Sequence, residues 1–317
     1  MKILIYGAGI QGSFLAHSLL KNKNNDVTML ARGQRKIDLE THGLVLSHEL
    51  QKKKTHDSVN VISELVPDSF FDLIFVTMKY NDFNTVVEPL AANCSQTIIF
   101  VGNQMNAKKL EQKIMTQSPT AKTILFGFQN TGGTRKGVTF TILRFGKGNM
   151  KIHSMVEKMT IHKTLDEVFK QTQYTWKEEP QLDDWLKSHG VLIMIMNSLD
   201  YLFDNNSKKI RHSKDFLNAA AHAYHEVFTL LEAKGHAIVP RSQKWLFGHP
   251  TRAKRVLQLL YLTPVMNMAE GNFGEIAAII ETINELKTDV SLTTPNFDKL
   301  AKAAITRYQL SLSTHKS

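Results

Sequence analysis

Apolar residues along this chain follow two different periods, and the change falls near residue 160. Before it, short and nearly continuous apolar runs are separated by stretches of helical spacing. The runs at 2–6, 27–31, 72–77 (DLIFVT) and 97–101 (TIIFV) predict strands. The absence of alternation in 72–77 and 97–101 is expected of strands covered on both faces. Helices are predicted over 10–22, with Phe14, Leu15, Leu19 and Leu20 on the buried face, and over 34–42, 82–92 and 106–116. Gly43 ends the second helix, and 44–62 read as a polar excursion. Further strands are predicted at 122–128, 138–145 and 149–153. Strands alternating with helices at this spacing predict a mostly parallel, doubly wound sheet.

Beyond residue 160 helical periodicity takes over, with helices predicted at 183–201, 215–234, 242–262 and 274–286. Pro180, Gly235, Pro240 and Pro264 punctuate them, and Gly235 after Ala233-Lys234 fits a helix C-cap. The expected architecture is an α/β Rossmann domain over 1–170, followed by an all-helical substrate or dimerisation domain over 171–317.

The first strand runs directly into Gly7-Ala8-Gly9-Ile10-Gln11-Gly12, and that hexamer runs directly into the first helix. In this context G-x-G-x-x-G is a dinucleotide fingerprint. Gly7 makes the tight turn, Gly9 lets the backbone approach a pyrophosphate, and Gly12 lets the helix pack closely on the sheet. A glycine turn without a ligand is the alternative. The end of the second strand selects the dinucleotide. An acid there would accept from a ribose 2′-hydroxyl, but the strand ends in Arg32-Gly33-Gln34-Arg35. Arginine forms bidentate bonds to a phosphate, so Arg32, with Arg35 nearby, predicts NADP(H).

Composition removes other classes. The 317 residues carry a net charge of +10, one cysteine (Cys94) and no uncharged apolar stretch of membrane-spanning length. A lone cysteine excludes an internal disulfide and a cysteine-based zinc site. The start MKILIYGAG lacks the pattern of a signal peptide, so a cytoplasmic protein without membrane attachment is expected. The basic residues are dispersed, with Lys52-Lys53-Lys54 in a hairpin or loop. That distribution predicts attraction of anionic small molecules and no nucleic-acid partner. His222, His225 and Glu226 lack a recognised ligand spacing, and no metal is expected.

With these residues in place, the chain resembles the ketopantoate reductase (2-dehydropantoate 2-reductase) family of pantothenate biosynthesis. The resemblance rests on GAGIQG at 7–12, LARGQR…L…HGL at 30–44, VTMKYND at 76–82, IIFVGNQMNA at 98–107, DWLKSHG at 184–190 and GEIAAI at 274–279. It implies reduction of a small-molecule 2-oxo acid to the 2-hydroxy acid by hydride transfer from NADPH. It further implies that Gly7, Gly9, Ile10, Gln11 and Gly12 cradle the pyrophosphate, that Arg32 and Lys79 hold the 2′-phosphate, and that Asn103 lies beside the nicotinamide ribose and the substrate. Lys187 would be the general acid, and Glu275 would bind the substrate beside it. Thr263, where the family has a serine, would meet the substrate carboxylate. A lysine ammonium suits this chemistry because hydride arriving at C2 leaves an alkoxide that needs charge stabilisation and a proton.

The chain departs from the family most at two positions; smaller departures are Thr263, Asp82 one turn after Lys79, and Gly102-Asn103-Gln104. Asparagines expected four and eight residues after the lysine are Val191 and Ile195, on the lysine's side of the helix. This substitution opens two alternatives: a reductase of a more apolar 2-oxo acid, and an NADP(H)-binding sensor or partner protein that has lost catalysis. Either is compatible with a homodimer.

Overall fold

The structure, a computed structural model, describes residues 1–144, 146–153, 159–263 and 273–314. They form two compact units, Met1–Leu182 and Asp183–Ser317. The first unit begins with β1 (Lys2–Tyr6), α1 (Ile10–Leu19), β2 (Asp26–Leu30), α2 (Gly33–His42), β3 (Leu44–His48), β4 (Lys53–Asp57) and β5 (Asn60–Ile62). There follow β6 (Leu73–Val76), a 3-10 segment Tyr80–Val86 leading into α3 (Val87–Ala92), β7 (Thr97–Val101), α4 (Ala107–Gln117) and β8 (Thr123–Gln129). The unit closes with β9 (Gly132–Lys136), β10 (Thr139–Leu143), β11 (Asn149–His153), α5 (Met159–Phe169) and β12 (Thr175–Glu179).

Eight strands form one sheet in the order β12-β11-β8-β7-β6-β1-β2-β5. Its pairs are parallel except β11 against β8. Alternate residues of each central strand enter opposite apolar layers. Ile3, Ile5, Leu73, Phe75 and Ile99 pack with α1 and α5 residues. Leu4, Tyr6, Ile74, Val76 and Phe100 pack with residues of α3 and α4. Burial on both faces is why these strands lack an alternating pattern in the sequence. Because β12 pairs with β11, the sheet takes in residues beyond 170, where the sequence reading ended the domain.

The polar excursion at 44–62 is corrected: it contains three strands. β3 and β4 form a hairpin whose turn includes Lys52 at φ 47°. With β10 and β9 they make a separate four-stranded sheet, β4-β3-β10-β9. The strand predicted at 138–145 thus belongs to this second sheet, and Phe145 lies outside the described residues. Leu44, Leu46, Phe140 and Ile142 of the second sheet are buried together with Phe14 and Leu15 of α1. The helix predicted at 82–92 starts as the 3-10 segment. Its Asn and Thr side chains bond locally, as in Thr85 Oγ1 to the Asp82 carbonyl, and compete with the α-helical ladder.

A polar group is enclosed under this second sheet. His48 is 2% exposed, its Nε2 lies 3.1 Å from Thr55 Oγ1, and its Nδ1 has no partner. Burial, with His17, Arg144 and Lys53 nearby, pushes its pKa down from 6.5 to about 4. The charged imidazole is therefore disfavoured in the folded chain. Stability is full above pH 6.5 and is lost as pH falls toward 4, by on the order of 3 kcal/mol from this group. Urea titrations at stepped pH should show that loss, and His48→Leu should flatten the slope between the two values.

The second unit contains α6 (Leu182–Leu202), α7 (Ser207–His212), α8 (Lys214–Ala233), α9 (Arg241–Phe247), α10 (Pro250–Leu260), α11 (Phe273–Lys287) and α12 (Pro295–Thr314). The single helix predicted at 242–262 is two, α9 and α10. Pro250 at the start of α10 has no N–H to give and its ring would clash with a preceding carbonyl, so it opens a helix instead of continuing one. Gly235, at φ 82°, ends α8 in a Schellman motif: its N–H donates to the Glu232 carbonyl and that of His236 to the Leu231 carbonyl. Pro264 lies outside the described residues. Among those residues, no helix is long and apolar enough to cross a membrane.

Candidate active site

The sequence-predicted residues of the first unit gather at one edge of its sheet. β7, β6, β1 and β2 are adjacent and parallel, so their C-terminal ends lie side by side. Gly7–Gly12 follow β1, Arg32 follows β2, Lys79 follows β6 and Asn103 follows β7. This edge is where open α/β sheets bind ligands.

The three glycines do different things. Gly7 has φ +118°, and its carbonyl accepts a hydrogen bond from Thr77 Oγ1 at 2.8 Å. A Cβ on Gly12 would stand 2.0 Å from the Gly7 carbonyl oxygen and 2.4 Å from Thr77 Oγ1, so only glycine lets α1 sit this close to the turn. A Cβ on Gly9 would meet nothing within 4 Å. The space beside Gly9 is therefore open, as a cradle for a pyrophosphate requires. α1 begins at Ile10 with no acid in its first turn, which leaves its positive end available to an anion. Gln11 Oε1 is buried without a partner in the same turn.

Cations flank the cradle. Arg32 is exposed, with Nε donating to the Ser63 carbonyl at 3.2 Å and Nη2 to Tyr6 Oη at 3.3 Å. Lys79 is exposed at the start of the 3-10 segment. Asp82, one turn later, accepts from Asn81 Nδ2. Arg35 is buried. Its Nε donates to the Ala8 carbonyl at 3.0 Å and its Nη2 to Ser13 Oγ at 3.2 Å, while its Nη1 has no partner. Burial, and Arg135 nearby, lower its pKa to about 10. Arg35 thus braces the glycine turn from behind, a role its position in the sequence does not reveal.

In the second unit Lys187 lies on the second turn of α6, with a side chain 7% exposed and Nζ 2.5 Å from Asp183 Oδ1. His236 Nδ1 donates to Asp184 Oδ1 at 2.9 Å. Ligand atoms of Asp183, Asp184 and His236 lie within 4.8 Å of one another, a spacing a metal ion could use. The Lys187 ammonium already supplies positive charge to that cluster. Glu275 is half-buried in the first turn of α11. Thr263 is exposed just past α10, its Oγ1 donating to the Leu260 carbonyl at 2.7 Å.

Residues 3–157 match the family model for ketopantoate reductase PanE/ApbA. Over those residues the chain is similar to a ketopantoate reductase domain. Solved structures of similar fold extend the likeness over nearly the whole chain. A PanE/ApbA family ketopantoate reductase from Ralstonia eutropha JMP134 has a TM-score of 0.75 at 15% identity, over 97% of this chain and 98% of that one. A D-mandelate dehydrogenase, in a ternary structure with NADH and anilino(oxo)acetate, gives 0.73 at 16% over 97% and 98%. A dimeric ketopantoate reductase from Staphylococcus aureus gives 0.70 at 14% over 98% and 99%. No protein of curated function matches the chain in sequence.

On α6, Val191 and Ile195 are fully buried, as is Ser198, while Lys187 on the same side is 5% exposed. The two apolar residues are thus packed into the interior. Ser198 Oγ donates to the Met194 carbonyl, so its one proton is already used. Two of the residues passed over as metal ligands, Glu226 and His225, have other partners. Glu226 accepts from Asn296 N and Phe297 N and caps α12, and His225 Nδ1 lies 2.9 Å from the Gly248 carbonyl. Asp183 is the residue the sequence reading missed. Its spacing of four from Lys187 was visible, but the burial that gives the pair its weight was not.

Proposed function

We propose that this ketopantoate reductase relative reduces a 2-oxo acid to the corresponding 2-hydroxy acid, with NADPH as reductant. The observation that carries the reading is the open cradle at Gly9, flanked by exposed Arg32 and Lys79, in a chain that also holds a buried ammonium at Lys187. Gly7, Gly9, Ile10, Gln11 and Gly12 would hold the pyrophosphate through backbone N–H groups and the helix end. Arg32 and Lys79 would hold the 2′-phosphate, and Asn103 would meet the nicotinamide ribose and the substrate. When bound, the reduced nicotinamide supplies the hydride that C2 of the oxo acid receives. Lys187 stabilises the oxygen as it gains charge and gives it a proton, leaving a hydroxyl group and a neutral lysine. Glu275 and Thr263 are proposed to bind the acid's polar groups. A homodimer is proposed by analogy with the dimeric S. aureus structure.

The choice of NADPH over NADH rests on the cationic pair. Arg32→Ala should weaken NADPH binding by roughly 10–100-fold, the loss expected for one charge-assisted phosphate contact. NADH binding should change little. Fluorescence titration of both cofactors checks this, and a wild-type preference for NADH would sink the assignment.

The substrate class is proposed from the groups that α6 does not offer, since Val191 and Ile195 are packed inside. With Val191 and Ile195 in place of amides, nothing at those positions rewards a substrate hydroxyl, and such groups supply strong discrimination where they exist. We therefore propose an apolar 2-oxo acid. The fold relative that is a D-mandelate dehydrogenase points the same way. NADPH oxidation against ketopantoate, 3-methyl-2-oxobutanoate and benzoylformate tests both statements. Activity with none of them would favour the non-catalytic NADP(H)-binding reading. A kcat/KM for ketopantoate far above the other two would overturn the apolar substrate.

A further inference from the structure

The geometry points to Asp183 as the positioning residue of Lys187, an inference that rests on the proton-donor role proposed above. The ion pair joins adjacent turns of α6, with Asp183 on the N-terminal side, the favourable order for an i,i+4 pair. On an exposed helix such a pair would matter little. Here the lysine side chain is 7% exposed, and a buried ammonium deprived of its counter-charge is strongly destabilised. Asp183 is 35% exposed and lies in the first turn of α6, where the helix end favours a carboxylate. It therefore offers a helix-held carboxylate against which a flexible four-carbon side chain can be aimed.

The backbone beneath the pair is held as well. Asp184 and Ser188, each the next residue along from a member of the pair, are both gripped by the segment after α8. His236 donates to Asp184 at 2.9 Å. Val239 N donates to Ser188 Oγ at 3.0 Å, and Gln243 Nε2 donates to the Ser188 carbonyl at 2.6 Å. The Schellman turn at Gly235 delivers His236 to this place. On another side of the helix, Trp185 stacks on His189 with ring centroids 4.7 Å apart. The first two turns of α6 are thus fixed in rotation, and Asp183 fixes the remaining freedom, that of the Lys187 side chain. Proton transfer needs this aim, because displacement by about 1 Å costs roughly 100-fold in rate.

The test uses the full chain and the best 2-oxo acid of the three-substrate panel, with NADPH binding measured separately by fluorescence. Asp183→Asn should lower kcat by roughly 10–100-fold and leave NADPH affinity within about twofold, while Asp183→Glu, which keeps the charge, should recover most of the loss. If D183N unfolds, the D183N/K187M double variant should regain the lost Tm, since the uncompensated ammonium is gone. Wild-type kcat in D183N beside an inactive K187A would overturn the positioning role and leave the proton donor standing. Wild-type kcat in K187A would remove the reading beneath it. Additive effects on Tm in the double variant would also overturn the coupling.

Discussion

Lys187→Ala is expected to lower kcat by roughly 10²–10⁴-fold, the usual contribution of a general acid, with NADPH affinity changed by no more than about twofold. The split follows from the roles proposed for the residues. Lys187 belongs to α6, whereas the glycine turn, Arg32 and Lys79 are on the C-terminal edge of the sheet in the first unit. Removing the ammonium should therefore affect the step in which oxygen gains charge, not the capture of the dinucleotide. Folding should survive better than in D183N, because the alanine leaves a carboxylate that is 35% exposed and can be hydrated, whereas D183N leaves a buried cation. Steady-state rates, cofactor titration and thermal unfolding of the one variant check all three statements. Unchanged kcat would dismiss Lys187 as the donor.

The second large effect is a contrast between two glycines of one turn. Gly9→Ala should lower NADPH affinity at least about 10-fold while changing stability by less than about 0.5 kcal/mol. The added Cβ enters open space, and Gly9 has an extended conformation (φ −79°, ψ −166°) that alanine adopts without strain. Gly12→Ala should do the reverse, destabilising the fold by on the order of 3 kcal/mol before any cofactor is added. Its Cβ would fall 2.0 Å from the Gly7 carbonyl oxygen, which is backbone and bonded to Thr77, so nothing there can give way cheaply. Urea unfolding without cofactor, followed by NADPH titration, separates the two. Equal destabilisation by both variants would mean that Gly9 is a structural glycine and that the space beside it is not a ligand cradle.

Parts of this molecule were legible because local patterns and tertiary demands agree. The apolar runs at 72–77 and 97–101 had to be buried on both faces, and they became β6 and β7 at the centre of the sheet. Other parts were not legible. β3 and β4 lie within a polar stretch, and the pairing of β3 with β10 joins segments about ninety residues apart in the chain. β12 gains its place from β11 and carries the charged sequence TWKEE, which shows no strand pattern of its own. α12 was overlooked because charged residues interrupt its apolar positions. Its start is fixed by Glu226, a cap supplied from another helix.

By itself the sequence determined the doubly wound class, the order of its central elements, the three-glycine turn and the basic residue ending the second strand. These depend on spacing within a few residues, and short-range spacing fixes backbone geometry directly. Tertiary structure alone decided the rest. It buried Lys187 and so turned an ordinary helical pair with Asp183 into a demanding one. It closed Val191 and Ile195 into the interior and set Arg35 behind the turn. Burial depends on which distant segments pack together, and it determines the energetic weight of each charge.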